Sequence, residues 1–455
     1  MPPASVPRPG EYRTSVRDDL PRTLGLWTAV AVVIGNIIGS GIFRVPASVA
    51  AQVDSVAGIA VVWVSGGLIS LCGALALAEL AAAYPKSGGV FVYLREAYGP
   101  GVAFLFGWTL LIIGPASSSA VALVFAEYLG TLVPLTPVGI RIVAAAAIVV
   151  VGVAGYRSAR GAGAIQTAAT AGKVGALIAL VVTAFILGEG SAGAFGSGAP
   201  AADTRWTGVG LGLVAALWAY NGWQDVSYVA GEVRNPAQTL PRALLLGTGL
   251  VVVIYLSANA AYLYVLPFPA LRESPLVASD TVVRVVGAAG AGLVAAMVMV
   301  STFGALNGTG LVNPRVFYAM ATEGLLFRSL ARVHPRYGTP HVAVAFYTLL
   351  SVVFVSAQTF EQLAATYVLG LWPFLALAVA AVIVLRRRRP DLARPYASPG
   401  YPVLPIVFVI GTAFVVGSAL VQQPGSTLLG IALTLLGVPV YIVWRRMRRR
   451  VSSEL

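Results

Sequence analysis

Long apolar runs separated by short polar segments make up most of this 455-residue chain. An apolar run of about 20 residues is long enough to cross a bilayer as an α-helix. Windows of this length predict twelve membrane spans, called spans 1 to 12 below, at residues 24–50, 56–82, 101–132, 138–155, 163–187, 207–231, 241–266, 285–312, 341–357, 362–385, 403–421 and 426–444. The hydrophobic pattern therefore predicts an all-α integral membrane protein.

Glycines interrupt two of these spans at corresponding places. Span 1 contains the run Ile37-Ile38-Gly39-Ser40-Gly41, and span 6 contains Trp218-Ala219-Tyr220-Asn221-Gly222. Glycine propagates a helix poorly, and non-helical backbone at membrane depth is tolerated only where it is buried in protein or lines a cavity. A pair of such breaks, one in each half of a chain, points to the substrate site of an inverted-repeat transporter.

The two breaks also predict how the chain is organised. Gly39 and Gly222 are 183 residues apart, a distance that holds five spans with their loops. Because five is odd, the second set of spans would cross the membrane upside down relative to the first. The predicted order is a cytoplasmic tail (1–23), a first repeat of spans 1–5 (24–187), an external loop (188–206), a second repeat of spans 6–10 (207–385), a cytoplasmic loop (386–402), spans 11 and 12 (403–444) and a basic cytoplasmic tail (445–455).

The charge distribution predicts the orientation. Only 10% of the residues are charged, the net charge is +13 and the mean hydropathy is +0.85. Of the 30 Lys and Arg residues, four fall in predicted external loops and two within spans, and the others lie on the opposite side. This bias predicts a cell-membrane protein with both termini in the cytoplasm. Basic residues along a membrane edge favour contact with lipid headgroups over nucleic acid.

Five motifs in chain order resemble those of the amino acid–polyamine–organocation superfamily. They are Gly39-Ser40-Gly41-Ile42-Phe43, Pro85-Lys86-Ser87-Gly88-Gly89, Trp218-Ala219-Tyr220-Asn221-Gly222-Trp223, Glu232-Val233-Arg234-Asn235-Pro236 and Pro390-Asp391-Leu392-Ala393-Arg394-Pro395-Tyr396. The third and fifth motifs are closest to its L-amino acid transporter branch. The resemblance implies a fold of two inverted five-helix repeats with broken helices 1 and 6 plus two extra helices, and it implies amino acids as substrates.

The break in span 1 predicts a site for the carboxylate of such a substrate. Unwinding at Gly39 would free backbone N–H groups at the start of the second half-helix, where the helix dipole is positive. We expect Ser40 and Gly41 to hold the carboxylate through these groups. Asn36, Ile37 and Gly39, with Gly222 from the other break, should line the same cavity. Close packing of helices is the alternative role for the glycines.

The break in span 6 predicts where the substrate amine lies. If the backbone unwinds before Gly222, carbonyl groups point into the same cavity. The resemblance implies that the amine lies against the carbonyls of Trp218, Ala219 and Asn221, and that Trp218 closes over the substrate as a gate. Ordinary packing is the alternative role for Trp218.

Lys173 lies within span 5. A lysine at mid-depth costs about 2.5–3.5 kcal/mol on insertion scales, so such residues usually face the bundle; snorkelling to the cytoplasm is the alternative. The resemblance implies that Lys173 takes the place of a sodium ion bound by sodium-dependent relatives and joins span 1 to span 8. Its expected partners are the carbonyls of residues 35–38 and the hydroxyl of Ser301 or Thr302.

The remaining patterns bear on the kind of function. The sequence lacks a phosphate-binding Gly-x-x-x-x-Gly-Lys loop, and its two histidines, His334 and His341, are a poor metal pair, so we expect no cofactor, no metal and no enzyme activity. No carboxylate is evident in the predicted pocket, which argues against cationic substrates. The sequence predicts sodium-independent exchange of small, mainly neutral L-amino acids by alternating access. Proton-coupled symport is the alternative, and a membrane-embedded sensor or enzyme is a third class.

The chain's single cysteine bears on its partners. Cys72 lies within span 2. In the family, members that pair with a heavy subunit use a cysteine in the loop between spans 3 and 4, and residues 133–137 contain none. We therefore expect no disulfide-linked subunit.

Overall fold

The structure is a computed structural model that describes residues 20–190, 206–274, 276–287, 289–355, 360–422 and 424–453. Within these ranges nine helical segments are long and apolar enough to cross a membrane. This count takes the broken span 1 as one segment and leaves out the shorter apolar helix of span 9, His341–Val355. The unbroken spans 2, 3, 4, 5, 7, 8, 9, 10 and 11 are the helices Val56–Ala83, Pro100–Leu132, Pro137–Arg157, Ala159–Leu187, Pro236–Val265, Ala289–Thr322, His341–Val355, Phe360–Arg388 and Val403–Gln422. Span 12 consists of Pro424–Leu435 and Gly437–Ser453.

Spans 1 and 6 are the broken ones. Span 1 consists of the helices Leu26–Ile37 and Gly41–Gln52, and span 6 consists of the α-helix Trp206–Ala219 followed by the 3₁₀ helix Trp223–Glu232. The predicted fold class, an all-helical membrane protein with breaks in these two spans, is confirmed. The two broken elements are separated by the helices of spans 2 to 5, so they cross the bundle in opposite directions.

Several elements differ from the sequence prediction. Short helices at Val90–Tyr98, Phe268–Glu273 and Val277–Val286 were not predicted, and span 8 continues to Thr322 rather than ending at residue 312. A charged residue at position 315 would normally mark the end of a span, but here its charge is neutralised inside the protein. Residues 1–19 of the predicted tail and 191–205 of the predicted external loop lie outside the described residues.

Capping residues explain where several spans begin. Ser55, Thr136 and Ser158 each accept a hydrogen bond from the backbone N–H three residues later, at 3.0, 3.0 and 2.9 Å. These bonds satisfy one of the N–H groups that the start of a helix leaves without a partner. The capping residues therefore fix the starts of spans 2, 4 and 5 in the sequence itself.

The outer surface of the bundle is apolar. Large hydrophobic side chains such as Leu68, Val150, Leu293 and Val421 are more than half exposed. A continuous apolar surface of this kind is the mark of a protein whose solvent is lipid. The chain is therefore a multi-pass membrane protein.

A fully buried ion pair joins spans 6 and 8 at the predicted cytoplasmic end. Arg315 Nε donates to Glu232 Oε1 at 2.8 Å, and both side chains are 0% exposed. The backbone carbonyl of Glu232 accepts hydrogen bonds from the N–H groups of Thr23 and Leu24, each at 2.9 Å. Glu232 therefore holds together the segment before span 1 and the last two turns of span 8.

A second acidic residue anchors the segment that follows span 10. Glu79, at the end of span 2, is 1% exposed, and it pairs with Arg386 at 2.6 Å and Arg394 at 3.4 Å. Its carboxylate also accepts the backbone N–H of Ser398 at 2.8 Å. The irregular loop at 386–402 is therefore held against the end of span 2.

The Glu232–Arg315 pair predicts a large stability effect. Glu232→Gln leaves Arg315 charged and buried without its counter-ion, which costs about 3–5 kcal/mol. The exposed pair between Asp54 and Arg272, 3.3 Å apart, provides the control, because Asp54→Asn should cost less than about 1 kcal/mol. Thermal unfolding in detergent, followed by circular dichroism, measures both. Equal and small losses for the two variants would contradict this role for the buried pair.

Candidate substrate site

The break in span 1 covers three residues. The first helix ends at Ile37, Ile38 leaves the helical region of backbone space at φ −76° and ψ 87°, and the second helix begins at Gly41. The N–H of Gly39 bonds to the carbonyl of Ile37 at 2.9 Å instead of continuing the helix. The position of the break agrees with the glycines of the sequence.

The break in span 6 depends on Gly222. Its backbone is left-handed, with φ at +117°, and a Cβ there would lie 2.7 Å from the backbone carbon of Asn36. Both the conformation and the close approach exclude a larger residue. Gly222 therefore lets the two broken spans touch backbone to backbone.

One hydroxyl group joins the two breaks to span 7. The hydroxyl of the fully buried Tyr255 lies 2.9 Å from the carbonyl of Ile37 and 3.2 Å from that of Ala219, so its one proton is shared between them. Carbonyl groups left free by a helix break are costly inside a membrane. Tyr255 therefore stabilises the last carbonyls of both half-helices at once.

A cavity lies between the two breaks. Its lining residues come from spans 1, 3, 6, 8 and 10; they are Asn36, Ile37, Gly39, Ser40, Gly41, Ser117, Val121, Trp218, Asn221, Asp225, Ala305, Thr309 and Tyr367. Most of the residues that the sequence nominated for substrate binding are thus brought together around one space.

Ala219 and Gly222, also nominated from the sequence, lie behind the cavity wall rather than in it. Ala219 is 1% exposed, and a Cβ on Gly41 would lie 2.7 Å from its Cα. The carbonyls of Trp218 and Ala219, expected to receive the amine, accept bonds from the N–H of Asn221 at 3.2 Å and from Tyr255. These two carbonyls already have protein donors.

The close contact at Gly41 predicts the effect of a substitution there. Because a side chain at Gly41 would collide with the backbone of Ala219, Gly41→Val would push the two broken spans apart. Gly41 is therefore needed for packing as well as for access to the helix start.

The N-terminus of the helix Gly41–Gln52 lies in the cavity wall and brings hydrogen-bond donors there. A helix start leaves its first N–H groups without intrahelical partners. Ser40 is 2% exposed and lines the cavity, and its hydroxyl has no hydrogen-bond partner among the described residues. A carboxylate placed here would meet hydrogen-bond donors and the positive end of the helix dipole.

Lys173 is fully buried and fixed by three backbone carbonyls. Its Nζ donates to Gly35 at 2.8 Å, to Ile38 at 2.6 Å and to Ser301 at 3.0 Å. The lysine therefore links span 5 to both the broken part of span 1 and span 8, and it does not snorkel to the membrane surface.

The expected hydroxyl partners of Lys173 were wrong in detail. Ser301 offers Lys173 its carbonyl, while its hydroxyl lies 3.1 Å from the carbonyl of Gly39, to which it donates. The hydroxyl of Thr302 donates to Val298 in its own helix at 2.8 Å. The backbone carbonyl of Ser301 thus accepts from the ammonium group, and its hydroxyl donates to the break in span 1.

The sequence analysis missed a carboxylate in the cavity wall. Asp225 is 3% exposed and lines the cavity from the first turn after Gly222. This corrects the expectation that the pocket contains no carboxylate. The signal was present in the sequence as two adjacent polar residues, Gln224 and Asp225, in the middle of a predicted span.

Aromatic residues cover another part of the wall. Trp218 and Tyr367 meet edge to face with ring centroids 5.4 Å apart, and Asn221 donates to the hydroxyl of Tyr367 at 3.0 Å. Tyr367, in span 10, was not nominated because an aromatic residue in an apolar run looks like packing. Beyond the break in span 1, Arg44 pairs with Glu127 of span 3 at 3.4 Å.

Broken helices that face each other across a buried cavity define a membrane transporter of the inverted-repeat class. A family model described as amino acid permease matches residues 24–443. The chain is 33% identical to the serine/threonine exchanger SteT of Bacillus subtilis (strain 168), over 95% of this chain and 98% of that protein. It is also similar to the b(0,+)-type amino acid transporter 1 of Mus musculus, at 31% identity over 96% and 92% of the two chains.

A further relative is the large neutral amino acids transporter small subunit 2 of Oryctolagus cuniculus, at 34% identity over 93% of this chain and 80% of that protein. The chain belongs to the amino acid permease family. This confirms the resemblance to the amino acid–polyamine–organocation superfamily and its L-amino acid transporter branch. The family and these relatives are transporters rather than enzymes.

The lysine contacts predict the effect of removing its charge. Lys173→Met keeps the length of the side chain but leaves three buried carbonyls without their charged donor, so it should lower stability by about 3 kcal/mol or more and abolish most transport. Thr302→Val is the matched control, because that hydroxyl donates within its own helix. Unfolding in detergent and uptake into liposomes measure both effects. Nearly normal transport by Lys173→Met would contradict a linking role.

Proposed function

We propose that this protein exchanges small L-amino acids across the cell membrane, without sodium, by alternating access. Its membership of the amino acid permease family makes it an amino acid transporter. The observation that carries the finer proposal is the cavity between the two helix breaks, with Lys173 fixed behind it. A substrate carboxylate would bind at the start of the helix Gly41–Gln52.

Independence from sodium is argued from the surroundings of Lys173. Unwound carbonyls in transporters of this class coordinate the coupling ion. Here the carbonyls of Gly35, Ile38 and Ser301 already bind an ammonium group at 2.6 to 3.0 Å. A second cation among the same oxygens would meet a fixed positive charge in a medium of low dielectric constant. Lys173 would therefore join spans 1 and 8 in place of a sodium ion.

The structure does not support the expected preference for substrates with neutral side chains. That expectation depended on a pocket without a carboxylate, and Asp225 lines the cavity. The proposed substrate class is therefore small α-amino acids, recognised by their carboxylate and ammonium groups. One relative is named for the exchange of serine and threonine, and another for the transport of large neutral amino acids.

Orientation and partners are proposed from the sequence. The positive-inside bias of the loops supports cytoplasmic termini and insertion in the cell membrane. Cys72, the chain's single cysteine, is half-buried in span 2, so it is poorly placed to form a disulfide bond with another subunit. We therefore propose that the protein works without a disulfide-linked partner, in contact with the bilayer alone.

The gate is proposed to be Trp218, which lines the cavity and meets Tyr367. Trp218→Ala removes the ring that would close over the substrate, so the transport rate should fall by more than the affinity does, as expected of a gating element. Trp218→Phe, which keeps an aromatic ring, should recover most of the rate. Binding measured in detergent and uptake into liposomes separate the two effects. Normal rate and normal affinity in Trp218→Ala would return the residue to a packing role.

The exchange mode has a direct test. Labelled serine or alanine is offered to proteoliposomes that contain either buffer or unlabelled amino acid, with and without sodium or an inward proton gradient. Exchange predicts uptake only when amino acid is inside, and no response to either ion. Uptake into empty liposomes that follows the proton gradient would replace exchange by symport, and an absolute need for sodium would contradict the role given to Lys173.

A further inference from the structure

Asp225 is a buried acidic residue whose charge meets no partner of opposite sign among the described residues. Its carboxylate accepts hydrogen bonds from Asn36 Nδ2 at 2.8 Å and from Gln224 Nε2 at 3.0 Å. In the part of the chain that the structure describes, no Lys, Arg or His forms an ion pair with it. A buried charge is costly unless a counter-charge offsets it.

The two amide neighbours are oriented to serve an ionised carboxylate. The oxygen of Gln224 accepts the N–H of Gly222 at 3.3 Å, and the oxygen of Asn36 accepts the side chain of Gln166 at 3.4 Å. With their oxygens occupied, both amides direct N–H groups at Asp225. A carboxylate has about four acceptor positions, so two remain beside the cavity.

The backbone carbonyls at the break have less capacity left for a cation. The carbonyl of Ile37 accepts from both Gly39 and Tyr255, each at 2.9 Å. The carbonyl of Ile38 accepts from Lys173 at 2.6 Å, and the one hydroxyl proton of Ser301 is shared between this carbonyl, at 3.3 Å, and that of Gly39, at 3.1 Å. A carbonyl oxygen has two lone pairs, so these groups have little capacity left for a cation, whereas Asp225 brings a charged acceptor to the cavity wall.

We infer that Asp225 is the counter-ion for an ammonium group of the transported amino acid. The cavity then has opposite electrostatic ends, with the donor-rich helix start at Ser40 and Gly41 for the substrate carboxylate and Asp225 for its cation. The cation is the α-ammonium group of any amino acid or a second ammonium group on the side chain. This inference rests on the proposed function, and it names how that function selects its substrate.

The test compares two amino acids of matched shape, ornithine and norvaline, which differ by the ammonium group at the end of the side chain. Binding and exchange are measured for the wild type, Asp225→Asn and Asp54→Asn in the same liposomes. Asp225→Asn keeps the shape and removes the charge, and it should weaken binding either of both amino acids or of ornithine alone by about 10- to 100-fold. Asp54→Asn removes an exposed carboxylate and should change neither.

The pattern of loss identifies which ammonium group is bound. Equal weakening for ornithine and norvaline assigns Asp225 to the α-ammonium group. Weakening for ornithine alone assigns Asp225 to the side-chain ammonium group. Asp225→Ser gives the same comparison with a smaller neutral side chain, should Asp225→Asn not fold.

Two results would overturn the inference. The first is an affinity for both amino acids within about twofold of the wild type in every folded neutral variant. The second is an unchanged affinity combined with the loss of a proton-driven uptake that the wild type shows, which would assign the carboxylate to a proton. A wild-type protein that exchanges no amino acid at all would instead contradict the proposed function itself.

Discussion

The structure depends on how two broken helices satisfy their backbone inside a membrane. A helix break exposes carbonyl and N–H groups that lipid cannot hydrogen-bond, at a cost of several kcal/mol each. Lys173 binds the carbonyls of Gly35 and Ile38 at the break in span 1, together with that of Ser301 in span 8, and the hydroxyl of Tyr255 is shared between two further carbonyls at the breaks. Donors at the start of the helix Gly41–Gln52 face the cavity, where we propose that the substrate completes their hydrogen bonding.

This arrangement also separates the charge of Lys173, which stabilises the break, from the charge of Asp225, which we propose binds the substrate. Lys173 is held behind span 1 by Gly35 and Ile38, and no ion pair joins it to Asp225 within the described residues. The side chain of Asn36 donates a hydrogen bond to Asp225 and accepts one from the side chain of Gln166. The lysine can therefore stabilise the break while the carboxylate stays available to a ligand.

The sequence predicted the features that depend on local chemistry. Gly39 and Gly222 mark the two breaks because a helix cannot easily continue through them, and Lys173 stands out because a charge within a span is expensive. The choice of the Ser301 carbonyl over the Thr302 hydroxyl could not be predicted, since it depends on the rotation of span 8 against span 5. Asp225 was visible, but only the fold shows that its side of the 3₁₀ helix Trp223–Glu232 faces the cavity.

The central claim is that an amino acid binds between the two breaks. The most direct measurement is an experimental structure of the protein with a bound amino acid. The account predicts the ligand in the cavity lined by Ser40, Gly41 and Asp225, with its carboxylate about 3 Å from the N–H groups at the start of the helix Gly41–Gln52. A ligand bound elsewhere, with these N–H groups satisfied by the protein itself, would contradict it.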